Sequence, residues 1–264
     1  PEAGDPGTLR FDLGEVGALP VSRFMMLAYD DLYSIDYFGT RLRPYWRRNG
    51  AETADLLKAA GADYEKLAVR CRAFDADLMA DLTHAGGERY ALLCALAYRQ
   101  TFAGNKLAAD ANGKPLLFPK QSFCNGCIST VEVLFSQAPF FLALNPELSK
   151  AMLIPVLNYA SSPRWPYDYT PRNLGLYPFA TGQGFGTTML DGIPEPVEDI
   201  GNMLIMLTAL AKWQGNAKFA ESWWTTVSKW TAYLIANGLD SENTLSAREF
   251  GLHTQLEPYG VDPG

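Results

Sequence analysis

Apolar side chains return every three or four residues along the middle of this chain. Leu56, Ala60, Tyr64, Leu67, Cys71, Phe74, Leu78 and Leu82 make one unbroken stripe, while Arg and Asp fill the opposite face. That spacing predicts a long amphipathic helix from about Thr53 to Leu82. Gly86-Gly87 breaks it, and Tyr90, Leu93, Ala97 and Tyr98 mark the inner face of a second helix from Glu88 to about Phe102. Asn145-Pro146-Glu147 combines a cap, a fixed φ and an acid near the positive helix end, a strong start signal. The helix it opens carries Met152, Leu153, Val156 and Leu157, and Pro155 is expected to kink it. Phe219, Trp223, Val227, Trp230 and Leu234 stripe another helix, from Asn216 to Ala236, which Asn237-Gly238 closes. Further helices are predicted from about Asp31 to Arg48 and from starts near Ser129 and Val197. The total is about seven, in consecutive pairs.

Strand signals are few. Val21 to Ala28 reads as a strand entering the first helix. Leu107 to Ala109 and Pro115 to Phe118 flank Asn112-Gly113, a hairpin signal. The pattern is therefore mainly α, with a short β segment at the N-terminus.

Between the helical stripes runs a long loop, Ser161 to Pro196, holding Trp165, Tyr167, Tyr169, Tyr177 and Phe179. Disordered segments are poor in aromatics, so this reads as an ordered loop packed over something. It delivers the chain to Glu195, Glu198 and Asp199, three carboxylates in the mouth of a helix that turns apolar at Met203. Acids in a first turn gain ~0.3–1 kcal/mol each from the helix dipole, which accounts for one or two of them. Three beneath an aromatic loop make Glu198 the leading site candidate, with Asp199 beside it. Asp30 and Asp31 suit an N-cap where strand meets helix, but one cap needs only one Asp, which leaves Asp31 as a possible partner. Ser129 and Glu132 have the spacing of a capping box. Trp165 and Tyr177 form a candidate substrate wall, with Arg172 placed to grip a carboxylate bidentately. Packing of the loop on helix ends is the structural alternative. Asn125-Gly126 supplies a turn with exposed backbone N–H groups.

Composition narrows the chemistry. With 264 residues and a net charge of -7, and a pI near 4.9, nucleic acid is not an expected partner. Arg41, Arg43, Arg47 and Arg48 read as one solvated helix face. No apolar run reaches the ~18 residues of a membrane span. Cys71 and Cys94 fall at apolar helical positions and read as buried thiols. Cys124-Asn125-Gly126-Cys127 lacks a second pair, and His84 and His253 lie at no ligand spacing from it, so neither metal nor cofactor is expected. No Ser-His-Asp arrangement, phosphate loop or dinucleotide fingerprint is readable. Paired carboxylates activating water remain the economical mechanism.

Several segments then converge in order and spacing. They are Val21 to Ile35, Arg43-Pro44-Tyr45-Trp46-Arg47-Arg48, Cys94 to Gln100, Phe118-Pro119-Lys120, Asn125-Gly126-Cys127-Ile128, Asn145-Pro146-Glu147-Leu148 and Val197 to Leu204. Together the set resembles the fungal and bacterial glutaminase A family. The resemblance implies an (α/α)6 toroid preceded by a β-rich domain. Residues 1–29 would be the tail of that domain or a linker, and 30–264 a partial toroid. It further implies a secreted or periplasmic hydrolase that acts on a small polar substrate and releases ammonia from L-glutamine. A closed toroid needs twelve helices, so the resemblance also implies the remainder of a longer chain. Glu132 stands where the family shows Asp, and Arg172-Asn173 where it shows His-Asp. Asn173 cannot move a proton as a carboxylate does. From Ser246 to His253 the match is poor. A glycoside hydrolase on the same scaffold, or a non-catalytic binding fragment, are the alternative readings.

Overall fold

The computed structural model describes residues 10–121, 126–183 and 195–238. The described chain is mainly helical with a few short strands. Strands β1 (Ile35–Tyr37) and β2 (Thr40–Leu42) form a hairpin, and a 3₁₀ turn follows at Tyr45–Arg47. Helix α1 spans Thr53–Ala103 and leads into the hairpin β3 (Asn105–Ala109) and β4 (Pro115–Pro119). Helices α2 (Val131–Leu144) and α3 (Pro146–Ala160) are adjacent in sequence. The short strand β5 (Phe179–Ala180) precedes α4 (Pro196–Gln214), a 3₁₀ turn at Lys218–Trp223 and α5 (Trp224–Asn237). β1 lies between antiparallel β2 and parallel β5.

The core centres on α3, where nine of fifteen residues are buried. Its side chains meet Phe118 of β4, Leu134 and Phe141 of α2, Ile200 and Met203 of α4 and Trp230 of α5 in one apolar cluster. Asn145 caps α3 as its sequence predicts, with Oδ1 accepting from the Glu147 amide at 3.1 Å. The β3–β4 hairpin forms around Asn112-Gly113, with Leu107 opposite Leu117.

The break in the first long stripe also appears. Gly87 leaves helical geometry at φ 82 and ψ 174, so α1 is two helices meeting at that residue. Its apolar stripe, however, is largely uncovered by the described residues. Tyr64, Leu67 and Phe74 are all more than 40% exposed, and Ala91 is the one buried residue of the helix. Cys71 is accordingly exposed and Cys94 half-buried, against the buried thiols that helical periodicity predicts, while Cys127 is buried. Periodicity identifies a face; whether that face is covered depends on distant elements.

The helix expected over Asp31 to Arg48 is instead the β1–β2 hairpin and a single 3₁₀ turn. Phe38-Gly39 holds two successive positive φ angles, 50 and 86, and this primed two-residue turn folds Tyr37 back against Thr40. Val21 to Ala28 forms no strand, because no described neighbour pairs with it. Arg47 is not on a solvated face. It is buried and ion-paired with Asp30 and Glu52, where it ties the approach to α1 in place.

Candidate functional site

Three stretches of chain bring their charged residues to one place. The first is the mouth of α4. Glu195 is its N-cap residue and Pro196 its first helical residue. Ile200, Met203, Leu207 and Leu210 form the buried stripe that fixes how α4 rolls onto the core. Asp199 and Asn202 fall on the same side as Met203, so the roll that buries the stripe also carries Asp199 inward. Glu195 and Asp199 are each 1% exposed, while Glu198 points to the rim and is half-buried.

The second stretch carries Arg172. Residues 172–176 run against 126–131 through backbone hydrogen bonds. The Ile128 amide donates to the Gly175 carbonyl at 2.8 Å, Leu174 to Ile128 at 2.9 Å, and Val131 to Arg172 at 2.8 Å. The Arg172 amide donates to Gln183 Oε1 at 2.7 Å. Gly175 is required here. Its φ is +118, and a Cβ would lie 2.7 Å from the Phe179 carbonyl. The third stretch is the start of α2. Ser129 sits at φ 53 and so cannot cap α2; Thr130 is the N-cap residue, without a side-chain cap bond. Glu132 is thereby released from the capping box its spacing suggests, and it pairs with Arg172 instead.

The result is one buried cation among four acids. Arg172 Nη1 lies 2.9 Å from Glu195 Oε1, and Nη2 lies 3.4 Å from Glu132 Oε1. Burial pulls the guanidinium pKa down, but Glu132, Glu195 and Asp199 outweigh it and hold Arg172 above its ordinary value. Burial pushes the Asp199 carboxyl well above the usual carboxylate range. Arg172 opposes this and Glu195, Glu132 and Glu198 add to it. Neither Asp199 oxygen has a hydrogen-bond partner among the described residues. Burial without solvation beside three other carboxyls favours the protonated form of Asp199. Glu198 is raised too, by burial first and then by Glu195 and Glu132. The site therefore sets a fully buried carboxyl, biased toward its protonated form, beside a half-buried one at the rim.

The other residues picked out from sequence are distributed elsewhere. Asp31 binds Lys106 at 2.5 Å and accepts from Ser34 at 3.3 Å, and no member of the acidic cluster touches it. Trp165 is buried among Tyr159, Tyr167 and Tyr169, with its indole N–H on the Tyr169 carbonyl at 2.5 Å. Tyr177 is exposed, with Lys120 Nζ over its ring at 5.3 Å. Asn173 is buried and its Oδ1 accepts from the Gly175 amide at 3.0 Å. Arg172 faces carboxylates of this chain. Asn125 and Cys124 lie outside the described residues. Sequence reasoning placed Glu195 in the acidic helix mouth without a role of its own, read Glu132 as a helix cap, and gave Gln183 and Asn202 no role. The spacing Glu195 to Asp199 to Asn202, one and two turns on one face, is the signal that would have found two of them. Among the described residues no group of His, Cys, Asp and Glu could hold a metal ion, and no helix is long and apolar enough to cross a membrane.

Residues 87–256 match the glutaminase A six helical-hairpin domain. The chain belongs to the glutaminase A family. Residues 7–81 match a domain of unknown function, and the glutaminase A match begins at the Gly87 break in α1. Glutaminase A of Aspergillus oryzae is 31% identical over 244 residues, covering 90% of this chain and 35% of that protein. A probable glutaminase of Arthroderma benhamiae is 32% identical over 170 residues, covering 63% of this chain and 19% of that protein. The chain thus spans about a third or less of these relatives' lengths. No solved structure matches it.

Proposed function

We propose that the cluster at the mouth of α4 is the acid–base site of a glutaminase-like amide hydrolase. The observation that carries this reading is Asp199, a buried carboxyl with no hydrogen-bond partner among the described residues and three other carboxylates around it. Glu198, at the rim, acts as general base. It takes a proton from water as the water oxygen attacks the substrate amide carbon. Asp199 acts as general acid and gives its proton to the amide nitrogen as the carbon–nitrogen bond breaks, releasing ammonia and a carboxylic acid. The proton on Glu198 then returns through solvent to Asp199. Arg172 holds Glu132 and Glu195 in place, and its positive charge opposes the upward shift of Glu198, which favours the proton-accepting form. L-Glutamine is the proposed substrate because the relatives are named glutaminases. The family match to six helical hairpins supports a toroid of paired helices around this site. We extend the proposal to residues 1–29 as the tail of a preceding β-rich unit and to an extracellular or periplasmic setting, on the family resemblance.

The test is ammonia release from L-glutamine by the wild-type chain, Glu198→Gln and Asp199→Asn, each checked for an unchanged far-ultraviolet spectrum. General acid–base catalysis contributes about 10²–10⁴-fold, and each variant is expected to lose that much. Unchanged turnover in either variant removes that residue from the mechanism. Reducing sugar from oligosaccharides, with no ammonia from glutamine, would replace the amide with a glycosidic bond.

A further inference from the structure

A cavity of about 360 Å³ opens between the tip of the β1–β2 hairpin and the C-terminal end of α3, and none of its lining residues belongs to the acidic cluster. The hairpin contributes Tyr37, Phe38 and Thr40. The α3 end and the loop beyond contribute Asn158, Tyr159 and Arg164. The volume lies in the range of small-molecule pockets.

The turn that forms one wall is built against local preference. Phe38 has φ 50, where Asn, Asp or Gly sits at lower cost. What holds it there is its ring. The ring stacks on Tyr159 at 5.0 Å and meets Tyr37 edge-on at 5.0 Å. The Arg164 guanidinium carbon lies 5.0 Å from the ring centroid. The turn thus places an aromatic wall and a stacked cation at one opening.

Hydrogen-bond capacity then selects the ligand. Asn158 Oδ1 is taken by the Trp223 indole N–H at 3.0 Å, so its amide turns its N–H side toward the Tyr37 hydroxyl. Ser162 Oγ, also in the lining, donates to the Tyr159 carbonyl at 2.8 Å and accepts from the Arg164 amide at 3.3 Å, so it is satisfied internally. Arg164 is exposed, carries five N–H donors, and pairs with no carboxylate among the described residues. No Asp or Glu lines the cavity. The Tyr37 hydroxyl donates to the Pro155 carbonyl at 3.3 Å, Thr40 adds a hydroxyl that can donate or accept, one lining group is cationic, and the walls are aromatic. A planar acceptor that engages a guanidinium bidentately is a carboxylate. We infer that this cavity is a second ligand site, which takes a small carboxylate with an apolar body through Arg164, Asn158 and the Tyr37–Phe38–Tyr159 wall.

Benzoate is the probe, with benzamide as its neutral counterpart, titrated calorimetrically into the whole chain. Benzoate is expected to bind with Kd of about 1 mM or tighter, and benzamide at least tenfold more weakly. Arg164→Gln, an exposed change that leaves the core alone, should weaken benzoate at least tenfold. Phe38→Asn keeps the positive φ and removes the wall, and should weaken both probes. Asp199→Asn should bind benzoate as the wild type does, which separates this site from the acidic cluster. Absence of benzoate binding, equal affinity for benzamide, or unchanged binding in Arg164→Gln each overturns the inference. Loss of binding in Asp199→Asn with Arg164→Gln unaffected would assign the carboxylate to the acidic cluster instead.

Discussion

Replacing Arg172 by Met is the sharpest test of the buried charge cluster. The change keeps much of the side chain's length and removes its charge, so the buried Glu195 and the half-buried Glu132 lose their cation. Breaking a buried pair from one side costs about 3–5 kcal/mol, because the remaining charge stays uncompensated. A pair of unit charges ~4 Å apart at an effective dielectric of ~20 is worth about 4 kcal/mol, the same size. For a domain of this length each kcal/mol lowers Tm by about 2–4 °C, so Arg172→Met should melt about 6–20 °C below wild type at pH 8. The pH dependence carries the finer check. Arg172 opposes the upward shift of Asp199, so its loss raises that carboxyl further. A folded pKa above the unfolded value of ~3.9 means that the native state holds a proton the unfolded chain has released, and stability falls as pH rises through that window. The defect should therefore be larger at pH 8 than at pH 5, read by circular dichroism melting at both. A Tm within about 2 °C of wild type, or a defect larger at pH 5, would refute the cluster as described.

Three further outcomes follow from the same geometry. Asp199→Asn substitutes a neutral group of the same shape for a carboxyl whose pKa is raised on folding, so its stability relative to wild type should improve as pH rises above about 4, measured by urea unfolding across pH 5 to 8. Gly175→Ala places a methyl 2.7 Å from the Phe179 carbonyl at φ +118; a loss of about 1–3 kcal/mol is expected in a denaturant titration. Asn145→Ala removes the cap of the central helix α3 and should cost about 1 kcal/mol in a denaturant titration while leaving the acidic cluster's pH behaviour unchanged.

Local signals carried far where one element explains them. The Gly87 break, the Asn145 cap, the Asn112-Gly113 hairpin and the acid-rich opening of α4 are each set by a few neighbouring residues, and each appears where the sequence puts it. Local signals fall short where two elements have to meet. Asp31 to Arg48 has enough apolar spacing to pass for a helix, yet pairing of β1 with β2 and with the distant β5 decides it as a hairpin. Glu132 has the spacing of a capping box, and only the left-handed backbone at Ser129 diverts it. The apolar stripe of α1 was legible as a stripe, but not its exposure.

The sequence by itself determined a mainly helical chain, the family resemblance and the location of the carboxylates at one helix mouth. Tertiary structure decided which of those carboxylates is buried. The roll of α4 onto α2 and α3 turns Asp199 inward and leaves Glu198 at the rim, a difference of one residue that composition and capping rules treat alike. It also decided that Arg172 serves Glu132, forty residues away, and Glu195. Periodicity reports how a helix would like to face. Ion pairs between remote segments exist only once the backbone hydrogen bonds of 126–131 with 172–176 have set the distance between them.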